Sequence, residues 1–135
     1  MRVMIDTNIL FSWIFFRSPA IRTFQEVLFG NHHLVLCSHV IKELWDVVGR
    51  KFPTKSAEID RFLRSVPFEM VYTPNDWSEI PIPFIRDPKD APILATAILE
   101  NVDVFVTGDK DFLSLDIDFP AIMTMADFVR TFGGA

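Results

Sequence analysis

Acidic residues flank both a predicted helix and a predicted strand within one stretch of the chain, residues 86–112. Its run VDVFV, Val102–Val106, is short, apolar and rich in β-branched residues, which is typical of a buried strand. Buried carboxylates are costly unless they are paired or bind a metal, and packing does not require acids at the ends of two elements. The stretch therefore predicts half of an acidic, metal-binding site. Its acids are Asp87 and Asp90 at the helix start, and Asp109 and Asp111 after the strand.

The helix in this stretch could start at either of two positions. If Asp87 caps it, Pro88 takes the first helical position, but Pro92 then lies deep enough to remove a backbone hydrogen bond. If Asp90 is the cap, Pro92 falls in the first turn, where proline is tolerated. In either case Asp90 lies at the positive end of the helix, where a carboxylate or a phosphate is favoured.

Short apolar runs alternate with helical patterns along the whole chain. This alternation predicts a parallel sheet with helices on both faces, and a length of 135 residues suits a single domain, residues 1–135. The predicted strands are Arg2–Ile5, Leu34–Cys37, Glu69–Tyr72, Val102–Val106 and Ala121–Thr124. The predicted helices, besides the one near Asp90, are Ile9–Phe16, Ala20–Phe29, His39–Gly49, Ser56–Val66 and Ala126–Phe132.

Two further acids are predicted near the carboxyl ends of strands. Asp6 directly follows the first strand, and Glu43 lies in the helix after the second strand, off its apolar stripe. Asp6 could serve only as a helix cap, and Glu43 could be an ordinary solvated glutamate. The carboxyl ends of parallel strands share one edge, however, and that edge is the functional rim of open α/β sheets. We therefore expect four acids to converge there, Asp6, Glu43, Asp90 and Asp109, with Asp87 and Asp111 close by.

Converged carboxylates repel one another, and a hard divalent cation removes that problem. Carboxylate oxygens suit Mg²⁺ or Mn²⁺. Such an ion can polarise a phosphoryl oxygen and supply hydroxide for in-line attack, or two ions can share these tasks. Thr7 and Asn8, which follow Asp6, could hydrogen-bond a ligand or the acids themselves.

Composition argues against several other classes of protein. No apolar run free of charge reaches the roughly 18 residues of a membrane span, and the acid in MRVMID argues against a signal peptide. The single cysteine, Cys37, cannot form an intrachain disulfide and suits the reducing cytoplasm. There is no glycine-rich phosphate loop, and the histidines show no zinc spacing. With a net charge of −5, the chain would not bind nucleic acid through general positive charge.

Two other features are each open to a structural and a functional interpretation. Basic residues gather in residues 50–64, where they form either a solvated face or a phosphate-contacting surface. The candidates for phosphate contact are Lys51, Lys55, Arg61 and Arg64. The aromatic residues near the N-terminus either belong to the core or, where they exceed what one core needs, form an oligomer interface. These residues are Phe11, Trp13, Phe15 and Phe16.

Together the motifs resemble those of the PIN-domain family of metal-dependent nucleases over nearly the whole chain. MIDTNIL is similar to the family's opening strand and first acid, and SHVIKELWDVVGRK is similar to its second acidic motif. RDPKDAPILATAILENVDVFVTGDKDF looks like the third and fourth motifs, and AIMTMADFV like the closing strand and helix. By this resemblance, the catalytic, metal-binding acids are Asp6, Glu43, Asp90 and Asp109, with Asp111 as an alternative to Asp109. Thr7 and Asn8 match the polar pair after the first acid.

The resemblance implies a three-layer α/β/α fold whose mainly parallel sheet has about five short strands. It also implies cleavage of single-stranded RNA, dependence on Mg²⁺ or Mn²⁺, and a homodimer. Asp87 is an extra acid found in one branch of the family, often described as the toxin of a type II toxin–antitoxin pair, so an antitoxin protein is an expected partner. Two other functions stay open: a non-catalytic nucleic-acid-binding or scaffold module, and a phosphohydrolase that acts on small phosphate esters.

Overall fold

The computed structural model describes residues 1–134 and contains a five-stranded sheet in which every pairing is parallel. The spatial order of the strands is β3-β2-β1-β4-β5. Their bounds are β1 Arg2–Ile5, β2 His33–Cys37, β3 Glu69–Val71, β4 Val104–Val106 and β5 Ala121–Met123. The three-layer α/β/α fold expected from the sequence is confirmed.

The helices connect successive strands and form two packed groups. In one group α2 packs on α7, and in the other α1, α3 and α4 pack together, with α5 against α3. The α-helices are α1 Thr7–Phe15, α2 Pro19–Asn31, α3 Ser38–Lys51, α4 Ser56–Ser65, α5 Ala91–Leu99, α6 Lys110–Leu113 and α7 Met125–Phe132, with 3₁₀ turns at Pro53–Lys55 and Pro88–Asp90. Within residues 1–134, no helix has the length and apolar character needed to cross a membrane.

The core surrounds the three central strands. Apart from Arg2 and His33 at their starts, all residues of β1, β2 and β4 are buried. Strands covered by helices on both faces read as continuous apolar runs rather than alternating ones. This coverage explains why the short apolar runs RVMI, LVLC and VDVFV indicated strands in the sequence.

The aromatic residues near the N-terminus divide between the core and the surface. Trp13, which the sequence analysis grouped with the interface candidates, is only 4% exposed. Its ring lies 5.9 Å from that of Phe24 and 5.3 Å from that of Phe62, and its indole Nε1 donates a hydrogen bond to Gln25 Oε1 at 3.1 Å. Trp13 is therefore a core residue, because α1 turns this side chain inward. Phe11 and Phe15 are half-buried and Phe16 is exposed.

Several predicted boundaries differ from the observed ones, and three of these differences have an identifiable physical reason. Helix α2 continues through Gly30 and ends at Asn31, because a single glycine only weakens a helix. Helix α3 begins at Ser38, one residue before its predicted start, and the Ser38 hydroxyl accepts a hydrogen bond from the backbone N–H of Thr73. Val102 is buried but precedes β4, because its N–H bonds back to the last turn of α5.

The strand order reverses direction at the centre of the sheet. Strands β1, β2 and β3 follow one another outward on one side, and the chain then crosses to β4 and β5 on the other side of β1. The β1–β4 junction is therefore a topological switch point, where α/β folds place ligand sites beyond the carboxyl ends of the strands. Asp6 and Thr107, the residues after these two strands, meet at this point.

Candidate active site

Asp6 lies directly after β1 and is 4% exposed. Its Oδ1 accepts a hydrogen bond from the backbone N–H of Ile9 at 2.9 Å, which caps α1. Its Oδ2 accepts a second hydrogen bond from the hydroxyl of Thr107, the residue after β4. The helix-cap interpretation of Asp6 thus accounts for Oδ1, whereas the hydrogen bond of Oδ2 links the end of β1 to the end of β4. Sequence reasoning missed Thr107, because the pairing of Ile5 with Val106 that brings it to Asp6 is not visible along the chain.

Burial raises the pKa of the Asp6 carboxyl above its ordinary value, and the neighbouring carboxylates of Asp109 and Glu43 raise it further. The hydrogen bonds from Thr107 and Ile9 act in the opposite direction. A buried acid that is surrounded by other acids is costly to ionise, so its environment favours a bound cation.

The start of α5 combines the two alternatives left open by the sequence. Asp87 caps a 3₁₀ turn, its Oδ1 accepting a hydrogen bond from the backbone N–H of Lys89 at 3.0 Å. The α-helix proper begins after Asp90, so Pro92 falls in its first turn. Asp90 occupies the cap position of α5 but makes no side-chain cap hydrogen bond. Its carboxylate is therefore free to face the cleft.

Asp90 shows the electrostatic strain of the cluster most directly. Burial, followed by the charges of the neighbouring carboxylates, raises the pKa of Asp90 from 3.8 to about 6. The carboxylates that contribute are, in decreasing order, those of Asp109, Asp87, Glu43 and Asp111. At neutral pH the site therefore holds negative charge that its own cations do not balance.

The carboxyl end of β4 leads into a short turn of helix that Asp109 caps. Its Oδ1 accepts a hydrogen bond from the backbone N–H of Asp111 at 2.9 Å, and its own N–H donates to Thr107 Oγ1 at 3.0 Å. Asp111 Oδ1 in turn accepts from Arg86 Nε at 2.9 Å. Oxygens of Asp90, Asp109 and Asp111 all lie within 4.8 Å of one another. The structure thus brings both candidates for the fourth acid to the same place.

Glu43 reaches the same cleft from α3. Its Oε1 accepts a hydrogen bond from the hydroxyl of Thr7, the first residue of α1. Asn8, the next residue, is exposed and also lines the cleft. Thr7 therefore orients the one acid that comes from the middle of a helix and not from the end of a strand.

These side chains surround an open cleft of about 490 Å³. Two cations that the sequence analysis did not select, Arg50 and Lys89, lie in its wall. Both are close in sequence to an acidic motif, and this proximity is the sequence signal that could have identified them. The full lining is Asp6, Thr7, Asn8, Glu43, Asp46, Val47, Arg50, Asp87, Lys89, Asp90, Ile93, Asp109 and Phe112.

The basic residues proposed from the sequence do not line this cleft. Lys55 lies 3.6 Å from Glu58 and Arg64 lies 3.0 Å from Asp60, so both pair with acids on α4. Arg61 lines a separate surface hollow. Contact of these residues and Lys51 with phosphate stays a prediction.

The residues present fit a hard divalent cation. Their donors are carboxylate oxygens, which suit Mg²⁺ or Mn²⁺. The pKa of Asp90 is raised first by burial and then by the neighbouring carboxylates, whose repulsion a cation would offset. Asp90, Asp109 and Asp111 converge most closely, and Asp6 and Glu43 line the same cleft. The fold and site therefore define an α/β protein with a carboxylate cluster at its topological switch point.

Comparison with known proteins identifies the family. The family model described as PIN domain matches residues 2–111, which include every acid of the cleft. The chain belongs to the PIN-domain family. No curated protein was found to match the chain.

The fold also occurs among solved structures. The chain is similar to one in the crystal structure of VapBC2 from Rickettsia felis bound to a DNA fragment from their promoter. The TM-score is 0.70 at 23% sequence identity, and the match covers 91% of this chain and 97% of the other. At this level of identity the likeness shows a common fold.

Proposed function

We propose that this protein is a metal-dependent endoribonuclease that hydrolyses single-stranded RNA and acts as the toxin of a type II toxin–antitoxin pair. The observation that carries the proposal is the convergence of Asp90, Asp109 and Asp111 within 4.8 Å, in a cleft that Asp6 and Glu43 also line. When bound, Mg²⁺ or Mn²⁺ would polarise a phosphoryl oxygen and lower the pKa of water. The acids of the cleft would hold the ion.

The chain's own residues have distinct roles in this proposal. The hydroxyls of Thr107 and Thr7 orient the carboxylates of Asp6 and Glu43, as supporting hydrogen bonds do around metal ligands. Arg50 and Lys89 supply positive charge in the cleft wall, where a phosphate backbone would lie. No serine or cysteine is among the residues lining the cleft. The hydroxyl of Thr7, which does line the cleft, donates to Glu43. We therefore expect direct attack by water, without a covalent protein intermediate.

Membership of the PIN-domain family supports nuclease activity. The toxin assignment is supported by the extra acid Asp87 and by the fold shared with VapBC2, a complex solved with a fragment of its promoter DNA. An antitoxin protein is the partner that this assignment requires.

A homodimer is part of the proposal, and the surface that supports it is an aromatic hollow. Its rings pack in series, since Phe11 lies 4.9 Å from Phe15 and 6.3 Å from Phe52 between ring centroids. The hollow has a volume of about 260 Å³ and is formed by Phe11, Phe15, Phe16, Phe52, Lys55 and Glu58. Exposed apolar patches of this kind mark interaction surfaces. Light scattering should show a dimer at high concentration, and a monomer with and without metal would contradict it.

The test of the nuclease is a Mn²⁺ titration of RNA cleavage, with wild type beside Asp90→Asn. Asp90 is the cleanest position because its side chain makes no cap hydrogen bond that the substitution would remove. The variant should lose cleavage at all Mn²⁺ concentrations and keep its fold. The matched control is Asp60→Asn on α4, which also removes one carboxylate charge but lies outside the cleft. Wild-type RNA left intact under every metal would refute the nuclease and favour a non-catalytic module.

A further inference from the structure

Phe84 is exposed in a way that its surroundings do not explain. At 87% exposure it is the most exposed large hydrophobic side chain of the described residues. Among those same residues its ring pairs with no other aromatic ring, whereas the rings of the aromatic hollow pack on one another. An isolated, almost fully exposed phenylalanine forgoes the stabilisation that burial would bring. A surface for another protein would instead be a contiguous apolar patch.

The segment around Phe84 is anchored to the rest of the protein by the two residues that follow it. Ile85, the next residue, is 7% exposed and belongs to the hydrophobic core. Arg86 is exposed again, but its Nε donates to Asp111 Oδ1 at 2.9 Å. Burial thus alternates along three residues, which places the Phe84 ring and the Arg86 guanidinium on the outward side of an anchored backbone.

This anchorage connects Phe84 to the acidic cluster through Arg86. Asp111, the partner of Arg86, has an oxygen within 4.8 Å of oxygens of Asp90 and Asp109. The Cα atoms of Phe84 and Arg86 can be at most about 7 Å apart, since they are two residues apart in sequence. An aromatic ring and a guanidinium therefore lie close together in the chain, and the guanidinium contacts the carboxylate cluster directly.

We propose that Phe84 is a base-stacking residue: an unpaired base of the RNA rests on its ring while the adjoining phosphate lies toward Arg86 and the acidic cleft. This inference rests on the proposed nuclease function and adds the residue that selects unpaired RNA. Aromatic side chains bind single strands in this way because every base has a π face. A neighbouring cation then contacts the phosphate backbone of the nucleic acid. A paired base is already stacked within its duplex and cannot use such a platform.

The test measures affinity and not cleavage. A short, fluorescein-labelled single-stranded RNA that wild type cleaves is titrated in chelator, where no cleavage occurs, and binding is read by fluorescence anisotropy. Phe84→Leu keeps an apolar side chain but removes the π face, and it should weaken binding by about 5- to 100-fold. Phe84→Trp should bind at least as well as wild type. The matched control is Phe119→Leu, an exposed phenylalanine just before β5, at the opposite edge of the sheet, which should change nothing.

A scan of abasic nucleotides through the same RNA identifies the stacked base. One abasic position should lower wild-type affinity to that of Phe84→Leu, and the variant should be insensitive to that position. Equal affinity of wild type and Phe84→Leu for intact RNA would overturn the proposal while the nuclease stands. So would a Phe84→Leu variant that binds RNA normally but changes oligomeric state, since Phe84 would then contact protein. Wild type that neither binds nor cleaves RNA would overturn both proposals.

Discussion

Both edges of the sheet carry clustered acids, but only at the amino edge, where the strands begin, do the acids gather around one cation. There the guanidinium of Arg2 donates to both carboxylate oxygens of Glu69, at 3.0 and 2.9 Å, and one of its nitrogens lies 3.9 Å from Glu100. Asp103 accepts a hydrogen bond from the backbone N–H of Arg2 at 2.8 Å. The hydrogen bond and charge of Arg2 lower the pKa of Glu69. This edge is a clamp that joins β3 and β4 to β1.

The carboxyl edge, where the strands end, has the opposite electrostatic character. Its acids lie beside one another, and the pKa of Asp90 is raised to about 6. Arg86 forms an ion pair with Asp111 only. Acids that are arranged for stability acquire a cation within the fold, whereas acids arranged for a ligand leave their charge uncompensated. The contrast is therefore evidence of function that neither edge would provide alone.

The largest expected effect is on RNA cleavage, and it is tested by one substitution at each edge of the sheet. Asp6→Asn should reduce RNA cleavage by at least about 1000-fold. Its metal-free melting temperature should stay the same or rise, because a buried amide is less costly than a buried charge. Asp103→Asn, at the amino edge, should leave cleavage near wild type. Cleavage assays and calorimetry on the purified variants measure both effects. Equal cleavage by Asp6→Asn and wild type would remove the distinction between the edges.

The second prediction concerns the hydroxyl that supports the acidic edge. Thr107→Val keeps the side-chain shape but removes the donor to Asp6 and the acceptor for the N–H of Asp109. Loss of such supporting bonds typically weakens metal binding by about 10- to 100-fold. The Mn²⁺ concentration for half-maximal cleavage should rise accordingly. An unchanged Mn²⁺ concentration for half-maximal cleavage would mean that Thr107 stabilises the fold without affecting metal binding. Thr96→Val, a buried threonine on α5, is the control for hydroxyl loss outside the cleft.

The third prediction tests the clamp at the amino edge. Arg2→Met retains an unbranched stem and the backbone N–H that donates to Asp103, but it leaves Glu69 and Glu100 without their shared cation. We expect the free energy of unfolding to fall by about 1–2 kcal/mol, above the value of an isolated surface pair because the contact is bidentate and shared. Urea unfolding measures the change, and cleavage by the folded variant should be unaltered. A variant as stable as wild type would show that the clamp contributes no net stability.

The last prediction concerns the pH dependence of stability in the absence of metal. The folded-state pKa of Asp90, about 6, exceeds its ordinary value of 3.8. In this window the folded state retains a proton that the unfolded state has lost, so Asp90 makes the free energy of unfolding fall as pH rises from about 4 to about 6. In chelator, melting temperatures of Asp90→Asn should fall less than those of wild type over this range. Added Mn²⁺ should stabilise wild type more than the variant. Parallel curves for the two proteins would contradict a shared acidic site.

Sequence patterns were sufficient to select the acidic residues but not to predict their hydrogen-bond partners or the direction in which their pKa values shift. Asp6, Asp90 and Asp109 were recognisable because each follows or precedes an apolar run at a predictable element boundary. Once the strands were parallel, their carboxyl ends had to share an edge. Trp13 shows the limit of this reasoning, because its aromatic type is the same in a core and in an interface, and only packing against Phe24 and Phe62 decides between them.

The sequence by itself determined the alternation of strands and helices, the parallel sheet and the identity of the acidic residues, since these depend on local periodicity and on element order. Only the tertiary structure decided which groups touch. Thr107 reaches Asp6 across 101 positions of the chain, and Arg50 and Lys89, rather than the basic residues selected from the sequence, lie in the cleft wall. The raised pKa of Asp90 likewise depends on carboxylates contributed by α3 and the end of β4. These properties follow from strand order and register, which arise from packing between segments far apart in sequence.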